Sequence, residues 1–174
     1  SAVAATTQRI LVGTGITYAF IRTPLLNASA AMDIDELSRG RMLLGLGTGT
    51  KTMNELWYSQ TFEHPAPKLK ESVELIRLAW ECATGKPLRY QGRFYQISIP
   101  QFARPGAWRE NIPIYIAGVN PRMVQTAAEI GEGLVGHPLY SRRYLKEVVQ
   151  PNVARGLAQA GRSRQNFDLS SYII

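Results

Sequence analysis

Two near-copies, Leu11-Val-Gly-Thr-Gly15 and Leu44-Gly-Leu-Gly-Thr-Gly49, close two short apolar runs of the chain. Each is followed, after a loop, by residues of helical period. A repeated strand–loop–helix unit limits the possible folds more than any other feature. The pattern continues along the chain. Arg9–Gly15, Arg41–Gly47, the run from Ile112 to Gly118, Leu134–Gly136 and the run from Phe167 to Ile174 read as strands. Pro24 opens a helix to Leu37 from its first turn; Ser38-Arg39-Gly40 stops it, with Gly40 suited to a left-handed cap. Leu69, Val73, Ile76, Trp80 and Ala83 form one helical stripe, closed by Gly85. Asn120-Pro121 starts a helix that Gly131 ends, and Ser141 caps a long one to about Ala160, with a bend expected at Pro151.

The order β-α-β-α-(hairpin)-β-α-β-α-β predicts an α/β fold with a parallel sheet and right-handed crossovers. Strands apolar throughout suit a sheet covered on both faces. The hairpin lies in the segment 86–112, where "LRYQGRFYQISI" has two alternating aromatic runs around Gln91-Gly92. No linker or low-complexity stretch interrupts the chain, so 1–174 reads as one domain carrying that insertion. Five strands suit a doubly wound sheet or part of an eight-stranded barrel. A closed barrel takes about 250 residues, more than the 174 present. The opening Ser1-Ala-Val-Ala-Ala-Thr-Thr-Gln8 reads as a helix tail with no initiator methionine, as in a fragment.

Composition narrows the function classes. Lys and Arg total 20 against 13 acids, a net charge of +7 that favours an anionic partner. The charges are scattered without a basic run, so a solvated basic surface is the plainer reading, and nucleic acid is not expected. The single Cys82 excludes an internal disulfide and a multi-cysteine zinc site, and it reads as core filler. There is no apolar run near the roughly 20 residues of a membrane span and no signal peptide, so a cytoplasmic location is expected.

The glycine string at Gly45–Lys51 resembles a phosphate loop but matches neither common pattern. A Walker loop needs glycine where Thr50 stands, and a dinucleotide fingerprint misplaces its third glycine at Gly49. Glycines at strand ends let a flat or anionic group approach the backbone, or else let strand ends pack tightly. Recurrence favours a ligand: Gly13-Thr14-Gly15, Gly47-Thr48-Gly49, Ala117-Gly118 and Gly136-His137 all close strands, and in a parallel α/β fold those ends share one rim. Asn120 as N-cap and Pro121 at the first helical position offer free N–H groups to a phosphate, or form an ordinary cap. His137 faces the rim as a ligand donor or as a satisfied structural histidine. Lys51 reads as a phosphate contact or a solvated lysine. Trp57 and Tyr58 read as core anchors of their loop, with a lid as the alternative. His64 carries no assigned role. No Ser-His-Asp order, paired rim carboxylates or metal-ligand cluster is present, so a held redox cofactor fits better than hydrolysis or metal chemistry.

The strings "RILVGTGIT", "DELSRGRMLLGLGTG", "GRFYQI", "IPIYIAGVNPRMVQTAAEIGEGLVGHP" and "SRRYLKEVVQPNVARGLAQAGR" together resemble the luciferase-like monooxygenase family, most closely its branch using deazaflavin coenzyme F420. The resemblance implies a partial TIM (β/α)8 barrel of the bacterial-luciferase type, with strands three to seven and a β-hairpin insertion. It implies an oxidoreductase passing a hydride between F420 and a small organic substrate. The alternatives are an FMN-dependent, oxygen-using monooxygenase and a non-catalytic flavin-binding remnant. The cofactor contacts implied are Gly15 and Ile16, joined by a cis peptide under the ring; Gly47, Thr48, Gly49 and Asn54; Ala117, Gly118, Val119 and Asn120 at the phosphate; and His137. Thr50-Lys51-Thr52 departs from the family's sugar-phosphate dehydrogenases, which have an acid soon after Gly-Thr-Gly and a loop one residue shorter. This weakens the match at Asn54. The catalytic histidine and tryptophan of those enzymes lie on strands outside this chain, so no catalytic residue is assigned. Homodimers are a family expectation.

Overall fold

The computed structural model of the chain describes residues 2–104 and 109–171. Its elements are α1 (Ala2–Thr6), β1 (Val12–Gly13), β2 (Thr17–Tyr18), α2 (Pro24–Ser38), β3 (Met42–Gly47), α3 (Pro65–Cys82), β4 (Leu88–Gln91), β5 (Gln96–Ile99), β6 (Ile114–Ala117), α4 (Pro121–Ile130), β7 (Gly133–Gly136), α5 (Arg142–Tyr144), α6 (Gln150–Gln159) and β8 (Asp168–Ser171). The main strands follow the order β1-β3-β6-β7-β8, and β2 also pairs with β3. The ladders β1/β3, β6/β7 and β7/β8 are parallel. The strand–helix alternation is therefore the one expected, and the fold is a partial (β/α)8 barrel with the hairpin β4/β5 between α3 and β6.

The contacts divide into two compact units. The first comprises Ser1–Gly13, Tyr18–Leu44 and Thr48–Ile112. Its helix α3 buries the predicted stripe of Leu69, Val73, Ile76 and Trp80, and the Trp80 indole donates to Ala28 O on α2 at 3.1 Å. Burying a tryptophan with its N–H satisfied keeps the apolar gain without an orphaned donor. Cys82 is buried, as expected of core filler. The first strand is shorter than the seven-residue run suggests. The Arg41 guanidinium donates to Ile10 O at 2.6 Å, so this carbonyl ends on a side chain rather than on a ladder, and it also reaches Thr7 O at 2.7 Å and Ala4 O at 2.9 Å. At the end of α2 the left-handed turn is shared by Arg39, at φ 56°, and Gly40, at φ 80°. The carboxylate of Glu71 on α3 accepts from Arg93 N, Phe94 N and Tyr95 N at 2.9, 2.8 and 3.3 Å, closing the hairpin turn after Gln91. Residues 105–108 of the insertion lie outside the described residues.

The second unit comprises Thr14–Thr17, Gly45–Gly47 and Pro113–Ile174. Ile114, Ile116, Val124, Ala127, Leu134, Val153 and Leu157 are buried in it. A Cβ on Gly156 of α6 would come within 2.3 Å of Gln125 O on α4, so a side chain there would push the two helices apart. Tyr115, Gly133 and Asp168 stand in register across β6, β7 and β8. The Tyr115 ring lies over Gly133, where a Cβ would meet it at 2.4 Å, and its hydroxyl bonds the Asp168 carboxylate. Ser141 caps α5 as expected, accepting from Tyr144 N at 3.0 Å. The irregularity expected at Pro151 takes the form of a π-wound segment, Leu145–Val149, just ahead of it. Residues 172–174 of the last predicted strand lie outside the described residues.

Candidate functional site

Most of the predicted contacts fall in the second unit, and its packing brings Ile16, Gly47 and Ala117 together. A Cβ on Gly47 would meet Ile16 Cγ2 at 2.8 Å and Ala117 Cβ at 3.2 Å, so Gly15-Ile16, Gly47 and Ala117 converge at adjacent strand ends. The Thr14 hydroxyl donates to Gly45 O at 3.0 Å and accepts from Gly45 N at 2.9 Å. These two bonds hold the Gly15 carbonyl so close that a Cβ on Gly45 would lie 2.1 Å from it. The tight-packing alternative thus governs Gly45 and Gly47. The Gly15–Ile16 peptide is not cis as expected: the described residues contain no cis peptide bond, and the chain turns through Gly15 at φ 57°.

The segment after β6 is built differently. Asn120 caps α4, its Oδ1 accepting from Met123 N at 2.9 Å. Among the described residues, the N–H groups of Val119, Asn120 and Arg122 have no protein acceptor. Three N–H donors at a helix start make an anion-binding arrangement. Gly118 packs directly on this turn, where a Cβ would lie 3.0 Å from the Met123 carbonyl carbon. Substitution there would shift the helix start, so Gly118→Val would not be a clean binding variant.

His137 is exposed at the end of β7, its Nδ1 accepting from Leu139 N at 3.2 Å. Two residues missed by the sequence reading complete this region. Tyr140 and Tyr144 send their hydroxyls to Gly118 O and, at 2.7 Å, to Val119 O. Their rings lie 5.2 Å apart. Burial raises the pKa of the Tyr140 hydroxyl, which keeps it a protonated donor at neutral pH. Their spacing of four residues, one on each side of the capping Ser141, was the available signal.

Thr48, Gly49 and Asn54 belong to the first unit. The Asn54 amide is fully buried, and its Nδ2 donates to Thr48 O at 2.9 Å and to Thr50 O at 2.8 Å. Among the described residues its Oδ1 has no partner, an orphaned acceptor facing a cost of about 1–3 kcal/mol. Asn54 therefore shapes the loop with one end and leaves the other for a donor. Lys51 pairs with Glu55 at 3.9 Å on the surface. Trp57 does not anchor the loop in the core: the π turn Met53–Trp57 turns Asn54 inward and leaves Trp57 65% exposed and Leu56 77% exposed. A cavity of about 550 Å³ lined by Ala4, Thr7, Ser38, Arg39 and Arg41 contains none of the predicted contacts.

The sequence model of the luciferase-like monooxygenase family matches residues 1–174. The chain belongs to this family. Among its family relatives, a 5,10-methylenetetrahydromethanopterin reductase of Archaeoglobus fulgidus is 37% identical over 95% of the chain and 47% of the reductase. An F420-dependent glucose-6-phosphate dehydrogenase of Nocardia farcinica is 33% identical over 97% of the chain and 50% of the enzyme. A solved coenzyme F420 dependent tetrahydromethanopterin reductase from Methanopyrus kandleri matches with TM-score 0.83 and 27% identity, over 98% of the chain and 52% of the reductase. The chain thus spans about half the length of these luciferase-like relatives.

Proposed function

We propose that the chain forms the cofactor-holding part of an oxidoreductase that transfers a hydride between deazaflavin coenzyme F420 and a small organic substrate. The observation that carries this reading is the set of acceptor-free N–H groups at Val119, Asn120 and Arg122, in a chain whose relatives include F420-dependent enzymes. The residues present fit such a group. The start of α4 would take its phosphate. Gly15, Ile16, Gly47, Ala117, Gly118 and His137 of the same unit would shape its surroundings. When bound, the deazaflavin supplies the hydride chemistry, so the protein's task is binding, orientation and exclusion of water.

The test is a fluorescence titration of the protein at its full natural length with F420 and, separately, with FMN. Saturable binding of F420 with much weaker binding of FMN is the expected result. Preference for FMN would move the reading to oxygen-dependent monooxygenation, and binding of neither would favour a non-catalytic remnant.

A further inference from the structure

In a trans peptide the carbonyl and the following N–H point in opposite directions. The Tyr140 hydroxyl fixes the Gly118 carbonyl, which turns the Val119 N–H the opposite way. The Tyr144 hydroxyl fixes the Val119 carbonyl, which does the same for the Asn120 N–H. Both N–H groups lack a protein acceptor among the described residues. Two consecutive peptides outside any helix or strand are thus held in one orientation by two tyrosines. The tyrosines come from one stretch of chain, tied down by Tyr140 N to His137 O at 3.1 Å and by the Ser141 cap.

We propose that Tyr140 and Tyr144 are positioning residues that aim the Val119 and Asn120 N–H groups at an anionic phosphoryl group. This inference rests on the reading of that segment as the cofactor phosphate site. The tyrosines need not touch the ligand. Without their hydroxyls the two carbonyls turn to water, the peptides sample other orientations, and the donors must be ordered when the anion binds.

The test compares F420 with its phosphate-free deazaflavin riboside, by fluorescence titration of the full-length protein and of its Tyr140→Phe/Tyr144→Phe variant. Thermal melts of both check folding. If the double variant does not fold, Tyr144→Phe alone replaces it, since Tyr144 is only half-buried. The wild type is expected to bind F420 more tightly than the riboside. The phenylalanine variant should lose about tenfold in F420 affinity, the cost of ordering two freed peptides on binding, while riboside affinity stays unchanged and the melts still show a cooperative fold. A preserved preference for F420 in the variant would overturn the positioning role and leave the site reading standing. Equal loss for both ligands would also overturn it, marking the tyrosines as general supports. A wild type that does not distinguish the two ligands would overturn the phosphate site itself, and the tyrosine role with it.

Discussion

At the residue scale, the glycines at the strand ends differ in what they do. Gly13 has ordinary room, the nearest atoms to an added Cβ being 3.7 Å away, whereas Gly45 faces the Gly15 carbonyl at 2.1 Å. Both sit in near-identical strings, so the sequence alone could not separate them; the difference lies in which neighbouring backbone each strand end meets. Gly45→Ala is expected to cost about 1–3 kcal/mol or more by overpacking, while Gly13→Ala should be near neutral. Chemical denaturation of the two variants would show this, and equal midpoints would contradict the packing account. Asn120 was legible because an Asn-Pro start is a local signal. The burial of Asn54 was not, because it depends on a π turn that sequence periodicity does not mark.

At the element scale, an ion pair between a buried aspartate and a half-buried arginine ties α2 to β3 and to the segment ahead of β6. Asp35 is 1% exposed; its Oδ1 accepts from Arg109 Nη2 at 2.6 Å and from Met42 N at 3.2 Å, and its Oδ2 from Arg109 Nε at 3.1 Å. Arg109 Nη2 also reaches Met42 O at 2.9 Å. Removing the cation strands a buried carboxylate, so Arg109→Met should destabilise by about 3–5 kcal/mol. Arg109→Lys should recover only part of this, because an ammonium cannot reproduce the planar fork. Urea unfolding of the two variants is the check, and a fully stable lysine variant would count against the bidentate role. Nothing in the sequence pointed to this pair, since its members lie far apart in the chain. The helices and the hairpin were legible because caps, stripes and turn residues are local.

At the scale of the whole molecule, the alternation of strands and helices was enough to give the fold class, and the family resemblance gave the partial barrel. No catalytic group was legible, because no acid, base or nucleophile of the chain stands in a local motif that marks one. Stability should fall at alkaline pH in a way the packing explains. Burial, and then the neighbouring Asp168, push the Tyr115 hydroxyl up to about 12 from 10, and burial raises Tyr95 to about 12 as well. Both fold best protonated, so their contribution is complete below pH 10 and disappears as pH rises toward 12. Thermal melts across that window should show the loss, and Tyr115→Phe should flatten it. A variant with unchanged pH dependence would remove Tyr115 from the explanation.

The rung of Tyr115, Gly133 and Asp168 also acts as a proofreader of threading. If β8 docked one residue out of step, Phe167 or Leu169 would stand opposite Gly133 in place of Asp168. The tyrosine hydroxyl would then lose its carboxylate partner, and the misthreaded chain would forgo that bond. An error in the last strand is thus registered two strands away, by a side chain 53 residues earlier in the chain.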